Sequence, residues 1–333
     1  MPVSRRTMLI QSAAGALGLA AGCKHFDAGT ANSGKGGRLQ IGLVYFAPEE
    51  GAELCMKGLF AGLKEQGLEK DRNLEVLSSH AQGEIANIPM LIQNYVSRKV
   101  DLIVTLTTPC LTAACTMARN SRVVFTYVYD PIAAGAGTSF GSHLANITGV
   151  GSFPPVESTV DTIQKLVPGI KSVGTVYNTS EANSVKVIST AREIFSKRGI
   201  RLEEVTATNT SEVFQSAQVA CSRKVQAIWV TGDNTALQSF DGIVKATRNA
   251  KLPLIINDPE FTSRGAVACV GLGWEPAGRA GGLLAARVLR GESPRDIPFQ
   301  EVAEQKLVIN AEAARNLGLI IPAEIQKAAQ SAS

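Results

Sequence analysis

The sequence predicts an α/β protein built as two doubly wound, parallel-sheet lobes around a cleft, and three observations carry that prediction. Short continuous apolar runs rich in Val, Ile and Leu recur along the chain without alternating polar residues, the pattern of strands covered on both faces. Helical stretches separate these runs, as crossover connections between parallel strands require. The series breaks once, at ITGVGSFPP over 147–155, and then restarts, and a length of 333 residues is enough for about two domains with a core each.

Taken in order, the run LQIGLVY from Leu39 is the first strand, followed by a helix from about Glu50 to Gln66 that Gly67 ends, and by a strand at 74–78. A helix over 84–98, a strand at 101–106, a helix over 109–119 and a strand at 123–128 repeat the unit, and 130–146 reads as a helix-free loop. Past the break come a helix over 156–167, a strand at 172–177, a helix over 181–198, a strand at 201–206, a helix over 211–221 and a strand at 227–231. A helix over 235–250, strands at 252–256 and 266–270, a helix over 275–290 and a strand at 306–309 complete the body.

The N-terminus reads differently. Ser4, Arg5 and Arg6 precede a short apolar, small-residue run, which is the pattern of twin-arginine export, and a run of about 12 residues is too short to span a bilayer. Ala20-Ala21-Gly22-Cys23 resembles a bacterial lipobox, so Cys23 is the expected lipidation site. Lys24 to Gly37, rich in Gly, Ser, Ala and Lys, reads as a tether. The expected organisation is a signal peptide over 1–23, a tether over 24–38, a first lobe over 39–151 plus about 275–298, and a second lobe over 152–272 plus about 303–330.

Composition excludes several function classes. Charged residues are 19% and the net charge is +4, with no basic stripe, so no nucleic-acid partner is expected. The three histidines (His25, His80, His143) form no H-x-x-x-H or H-E-x-x-H spacing and no C-x-x-C occurs, so neither metal nor cofactor is expected. Cys55, Cys110, Cys115, Cys221 and Cys269 are odd in number and scattered, the pattern of free thiols. A Rossmann-like enzyme needs G-x-G-x-x-G after its first strand, but the chain has VYFAPEE there, and Gly271-Leu272-Gly273 is followed by Pro276 where the third glycine belongs. No G-x-S-x-G accompanies a histidine partner, so a hydrolase lacks its nucleophile.

In open α/β sheets ligands lie beyond the carboxyl ends of the strands, where helix N-termini point. Five strand ends carry Asx, Ser or Thr: Thr107-Thr108-Pro109, Tyr129-Asp130-Pro131, Asn178 to Asn183 with Ser180, Gly232-Asp233-Asn234, and Asn257-Asp258-Pro259. Thr108 is the expected N-cap, with Pro109 opening the helix. Each of these residues can also serve as an ordinary cap or turn former. Hydroxyls and free N–H groups suit a carboxylate, while Asp130, Asp233 and Asp258 suit an ammonium, so a zwitterion such as an amino acid fits both. Tyr45, Phe46, Tyr127 and Tyr129 stand where an apolar side chain could be gripped, whereas Trp229 reads as core.

The succession TTP, YDPIAAG, NITGV, YNTSEANS, DNT and LVINAEAARNLGLIIP resembles the solute-binding components of ABC transporters, specifically the tryptophan/tyrosine-binding-like family of lipoproteins, from about Leu39 to Ile325. That resemblance implies a periplasmic-binding-protein type I fold whose lobes close over an amino-acid-like solute and deliver it to a membrane permease with its ATPase. The expected product is a monomer in the periplasm or at the outer face of the cytoplasmic membrane, anchored through Cys23, with no catalytic residue. Carried over by motif, the pocket positions are Thr108, Asp130, Ser180, Asn183, Asp233 and Asp258, and Tyr45 joins them from the first strand end. EEGAE in the stretch from Tyr45 to Glu53 departs from the family's usual His- and Pro-containing segment. Hinge crossings are expected near 149–153, 271–274 and 299–306. A sensory ligand-binding protein serving a membrane receptor shares this fold and stays open as the alternative.

Overall fold

The computed structural model describes residues 38–302 and 304–331; the expected signal peptide, Cys23 and nearly all of the tether lie outside them. The chain runs β1 (Leu39–Tyr45), α1 (Glu50–Glu65), β2 (Leu74–His80), α2 (Ile88–Arg98), β3 (Leu102–Leu106), α3 (Thr108–Met117), β4 (Val123–Val128) and β5 (Ile147–Gly151). It continues through α4 (Val156–Leu166), β6 (Ser172–Tyr177), α5 (Ala182–Lys197), β7 (Arg201–Thr206), α6 (Val213–Ser222), β8 (Ala227–Val230), α7 (Asn234–Gln238), α8 (Phe240–Ala250), β9 (Leu254–Ile256) and β10 (Ala268–Leu272). It ends with α9 (Trp274–Leu289), β11 (Gln300–Glu301), β12 (Gln305–Ile309), α10 (Ala311–Asn316), α11 (Ala323–Ala328) and β13 (Gln330–Ser331).

The strands form two sheets, in the orders β11-β5-β4-β3-β1-β2 and β13-β12-β10-β9-β8-β6-β7. Pairing is parallel throughout, except that β12 runs antiparallel to β10. Central strands are buried on both faces, as in β3 (LIVTL) and β8 (AIWV), which is why they read as unbroken apolar runs. The chain passes between the sheets three times: after β5, between β10 and α9, which packs on the first sheet, and between β11 and β12. Among the described residues, no helix is long and apolar enough to cross a membrane.

Helix α9 returns to the first lobe by lying flush against α1. A Cβ on Gly58 would meet the Glu275 carbonyl oxygen at 2.0 Å and one on Gly62 the Arg279 oxygen at 2.3 Å; on the facing helix, a Cβ on Gly278 or Gly282 would meet the Cys55 or Leu59 oxygen at 1.9 or 2.1 Å. Two glycine pairs spaced by four thus let the backbones touch, which larger side chains would forbid. The Thr126 hydroxyl donates to the Ala277 oxygen at 3.0 Å and fixes the helix to β4.

Several expectations shift. The segment 147–151, read as a break, is strand β5, and its glycine is a packing requirement: a Cβ on Gly149 would lie 2.2 Å from the Phe125 oxygen. The expected helix over 235–250 is two helices, because Ser239 leaves helical geometry (φ −114°, ψ 29°) and its hydroxyl donates to the Thr210 oxygen at 2.8 Å. Helix α3 starts one residue early, so Thr107, and not Thr108, occupies the cap position, at φ 79°.

Candidate functional site

The carboxyl ends of both sheets face each other across the cleft, and four helices, α1 and α3 from the first lobe and α5 and α7 from the second, start there. Two small spaces lie between the lobes, with cavity volumes of about 20 and 10 Å³. Thr108, Tyr127, Tyr129, Asn183, Asn234 and Asp258 line the first, while Phe46, Glu49, Thr107, Tyr127 and Gln238 line the second. Each is large enough for about one water molecule and too small for an amino acid.

Local backbone distortion builds the first-lobe wall. In β4, Phe125 packs into one core cluster, but the pairing with β5 shifts register before Val128 and Tyr127 takes φ 59°. This bulge breaks the strand's alternation, so that Tyr127 and Tyr129 both pack on the side of Trp274, with ring centroids at 4.3 and 6.3 Å. The Tyr127 hydroxyl donates to Glu49 Oε1 at 2.9 Å, and the same carboxylate caps α1 by accepting from Gly51 N and Ala52 N at 2.8 and 2.7 Å. Thr107 and Tyr127 are non-glycine residues held at positive φ, a strain that clusters at functional sites.

The second-lobe wall answers it. The Tyr129 hydroxyl crosses the cleft and donates to Asp258 Oδ2 at 3.3 Å. Gly232 makes that reach possible, since a Cβ there would lie 2.0 Å from the Tyr129 oxygen. Burial pushes the Asp258 carboxyl well above the usual range, and nearby Glu260 and Glu49 push it further, against the opposing pull of Tyr129. Burial likewise raises Glu49 despite its three donors, and raises the Glu260 carboxyl to about 7. The Asn183 amide nitrogen donates to the Gly232 oxygen at 2.9 Å, whereas its Oδ1 is buried without a partner. The buried Thr107 hydroxyl and the Trp274 indole nitrogen are equally unpartnered, and the first turn of α3 has no side-chain cap.

Of the residues expected at the site, Thr108, Asn183 and Asp258 line the space between the lobes. The other four stand elsewhere. Asp233 spends its carboxylate within its own lobe, accepting from Asn178 N at 2.6 Å, Ser184 Oγ at 2.6 Å and Ala236 N at 2.7 Å; burial, with Glu181 beside it, holds its carboxyl high. Asp130 closes its own turn by accepting from Ile132 N and Ala133 N at 2.8 and 3.0 Å. Ser180 is exposed, its N–H bound to Asn178 Oδ1 at 2.8 Å, and Tyr45 packs its ring on His80 at 5.3 Å. Sequence reasoning missed Glu49, because glutamate is an uncommon helix cap, and Trp274, which stood inside a glycine-rich string; only the DNT motif hinted at Asn234. Among the described residues no group of three or more His, Cys, Asp or Glu is disposed to hold a metal.

A larger open groove of about 890 Å³ runs along α9, lined by Arg279, Leu283, Arg287 and Lys306 among others. Its arginines are already paired, Arg279 with Glu65 at 2.6 Å and Arg287 with Glu292 at 2.5 Å, and it has none of the buried unpartnered groups found in the cleft.

Comparison with known proteins agrees with this geometry. The family described as "ABC transporter substrate binding protein" matches residues 40–333. A tyrosine-binding protein of Clostridioides difficile (strain R20291) is 28% identical over 279 residues, covering 84% of this chain and 81% of the relative. The structure of an ABC domain in complex with L-Trp from Streptococcus pneumonia superposes with a TM-score of 0.85 at 28% identity, covering 88% of this chain and 99% of that one. The ligand-free, open structure of a substrate binding protein with adhesive properties from Clostridium difficile reaches 0.65 at 26% identity, over 88% of this chain and 98% of that one. At nearly equal identity, the chain thus superposes better on the L-Trp complex than on the ligand-free, open structure. With the family matched over almost all of the described chain, this protein belongs to the ABC transporter substrate-binding proteins.

Proposed function

We propose that this chain captures a small zwitterionic solute, an amino acid, outside the cytoplasm by closing its two lobes over it, and delivers it to an ABC permease and its ATPase. The observation that carries this reading is the division of the cleft into a donor end and an acceptor end. At the donor end, the uncapped first turn of α3 and the unpartnered Thr107 hydroxyl suit a carboxylate. At the acceptor end, Asp258 and the free Asn183 Oδ1 suit an ammonium. Tyr127, Tyr129 and Trp274 form an apolar wall between them. The relatives whose names speak of tyrosine and L-Trp support an amino acid with an aromatic side chain.

Closure needs a ligand that binds the closed arrangement better than the open one, and a solute touching Thr108 and Asp258 at once does so because these residues belong to opposite lobes. The three passages between sheets, after β5, before α9 and between β11 and β12, are the hinge in this reading. The N-terminal segment supports export with lipidation at Cys23: Cys23→Ser should move the protein from the membrane fraction to the soluble one. The direct test is thermal unfolding against amino acids, peptides, nucleosides and sugars. A solute present at about 100 times its Kd adds about 2.7 kcal/mol and raises Tm by about 4 °C. No shift with any amino acid would overturn the assignment.

A further inference from the structure

Where the lobes meet, carboxylates from both sides act on one another. Glu260 sits in the short turn Pro259–Phe261 after β9, beside Asp258 of the same lobe. The charges of Glu49 and Glu50, at the head of α1 in the first lobe, act on it, and Glu260 acts in turn on the Tyr127 hydroxyl of β4. Cys269 of β10 is near on its own side, and the positive charge of Lys306 of β12 acts on it in the opposing sense. Glu260 Oε2 is buried without a hydrogen-bond partner. Oε2 thus has no donor, whereas both carboxylate oxygens of Glu49, Glu181 and Asp233 accept from nearby donors.

We propose that Glu260 is a proton-linked latch: lobe closure buries it against Glu49 and Glu50, so that the protein closes more readily when Glu260 is protonated and opens more readily when it is charged. The inference rests on the closing motion of the preceding section and does not depend on which solute binds. When the lobes part, Glu260 regains water and loses the repulsion of the first-lobe carboxylates, and its affinity for a proton returns towards the ordinary value of 4.5, against about 7 in the closed arrangement. A group whose pKa is raised in the closed form favours that form fully below the open-form value and ceases to do so as the pH climbs past the closed-form value. The bias towards closure is therefore strongest below about pH 4.5 and gone above about pH 7, with a ceiling of about 300-fold in the closed-to-open ratio.

Small-angle scattering on the purified chain without solute at pH 8 and pH 5.5 tests this. The wild type should contract at the lower pH, and Glu260→Gln, which carries no charge to bury, should be contracted at both. Glu49→Gln, on the opposite lobe, should be partly contracted at pH 8 and provides the test should Glu260→Gln fail to fold, which thermal unfolding at each pH reveals. A radius of gyration that does not change with pH in the wild type, or variants that track the wild type, would overturn the latch. Because no solute is present, contraction with pH alongside a silent amino-acid panel would reject the proposed solute and leave the latch standing.

Discussion

Asp258→Asn separates a binding residue from a structural one. In the wild type the carboxylate is buried, raised by burial and by Glu260 and Glu49, and held by a single described hydrogen bond, the 3.3 Å donation from Tyr129. Asparagine has nearly the same shape, and its Oδ1 can keep the tyrosine bond. What the variant loses is the charge that meets the solute's ammonium. A hydrogen bond to a charged group contributes about 1.5 to 3 kcal/mol, so affinity should fall by about 10- to 150-fold. The fold should respond in the opposite direction, because removing a poorly compensated buried charge relieves repulsion, and the solute-free Tm should hold or rise. Calorimetric titration with L-tryptophan and L-tyrosine, paired with thermal unfolding of the solute-free variant, reads both quantities. An affinity within about threefold of wild type, for a solute that the wild type binds, would remove Asp258 from the site; a large drop in Tm would show the carboxylate to be a structural element instead.

Three further substitutions test the rest of the architecture. Asp233→Ala strips the acceptor from Asn178, Ser184 and Ala236 together, so it should cost about 3 kcal/mol in urea unfolding, in contrast to Asp258→Asn. Gly58→Ala places a Cβ 2.0 Å from the Glu275 oxygen and should force α1 and α9 apart at a cost of about 1 to 3 kcal/mol, seen as a lower urea midpoint with an unchanged m-value. Asn257→Leu abandons the Trp229 indole N–H, bound at 2.8 Å, and the Val270 oxygen, bound at 2.6 Å; unfolding free energy should drop by about 3 kcal/mol, and Trp229 fluorescence should report the change in its surroundings.

The Asp233 and Asp258 pair shows where sequence reasoning stops. Both aspartates follow a strand, both precede a helical turn, and nothing local tells them apart. Their fates diverge because Asp233 starts α7 beside the Asn178 and Ser184 donors of its own lobe, while Asp258 is turned towards Tyr129 of the other lobe. Tyr127 is a second such case: its place at a strand end was legible, but the bulge that aims it at Glu49 arises from pairing with β5, a strand whose glycines disguised it as a break.

What the sequence by itself determined is most of the central strands and helices and their alternating order, because burial on both faces writes continuous apolar runs into parallel strands and because caps, glycines and prolines mark where helices begin and end. It also confined the candidate site to the carboxyl ends of the strands, since the crossover rule depends on order alone. Only the tertiary structure decided which of the polar residues at those ends face the cleft, that Glu49, Tyr129, Asp258 and Glu260 converge there, and that the glycines of α1 and α9 are contacts and not flexibility. The reason is physical: helix and strand periodicity act over a few residues, whereas the state of a buried carboxylate depends on donors and charges brought to it from the far lobe, at sequence distances that no local pattern records.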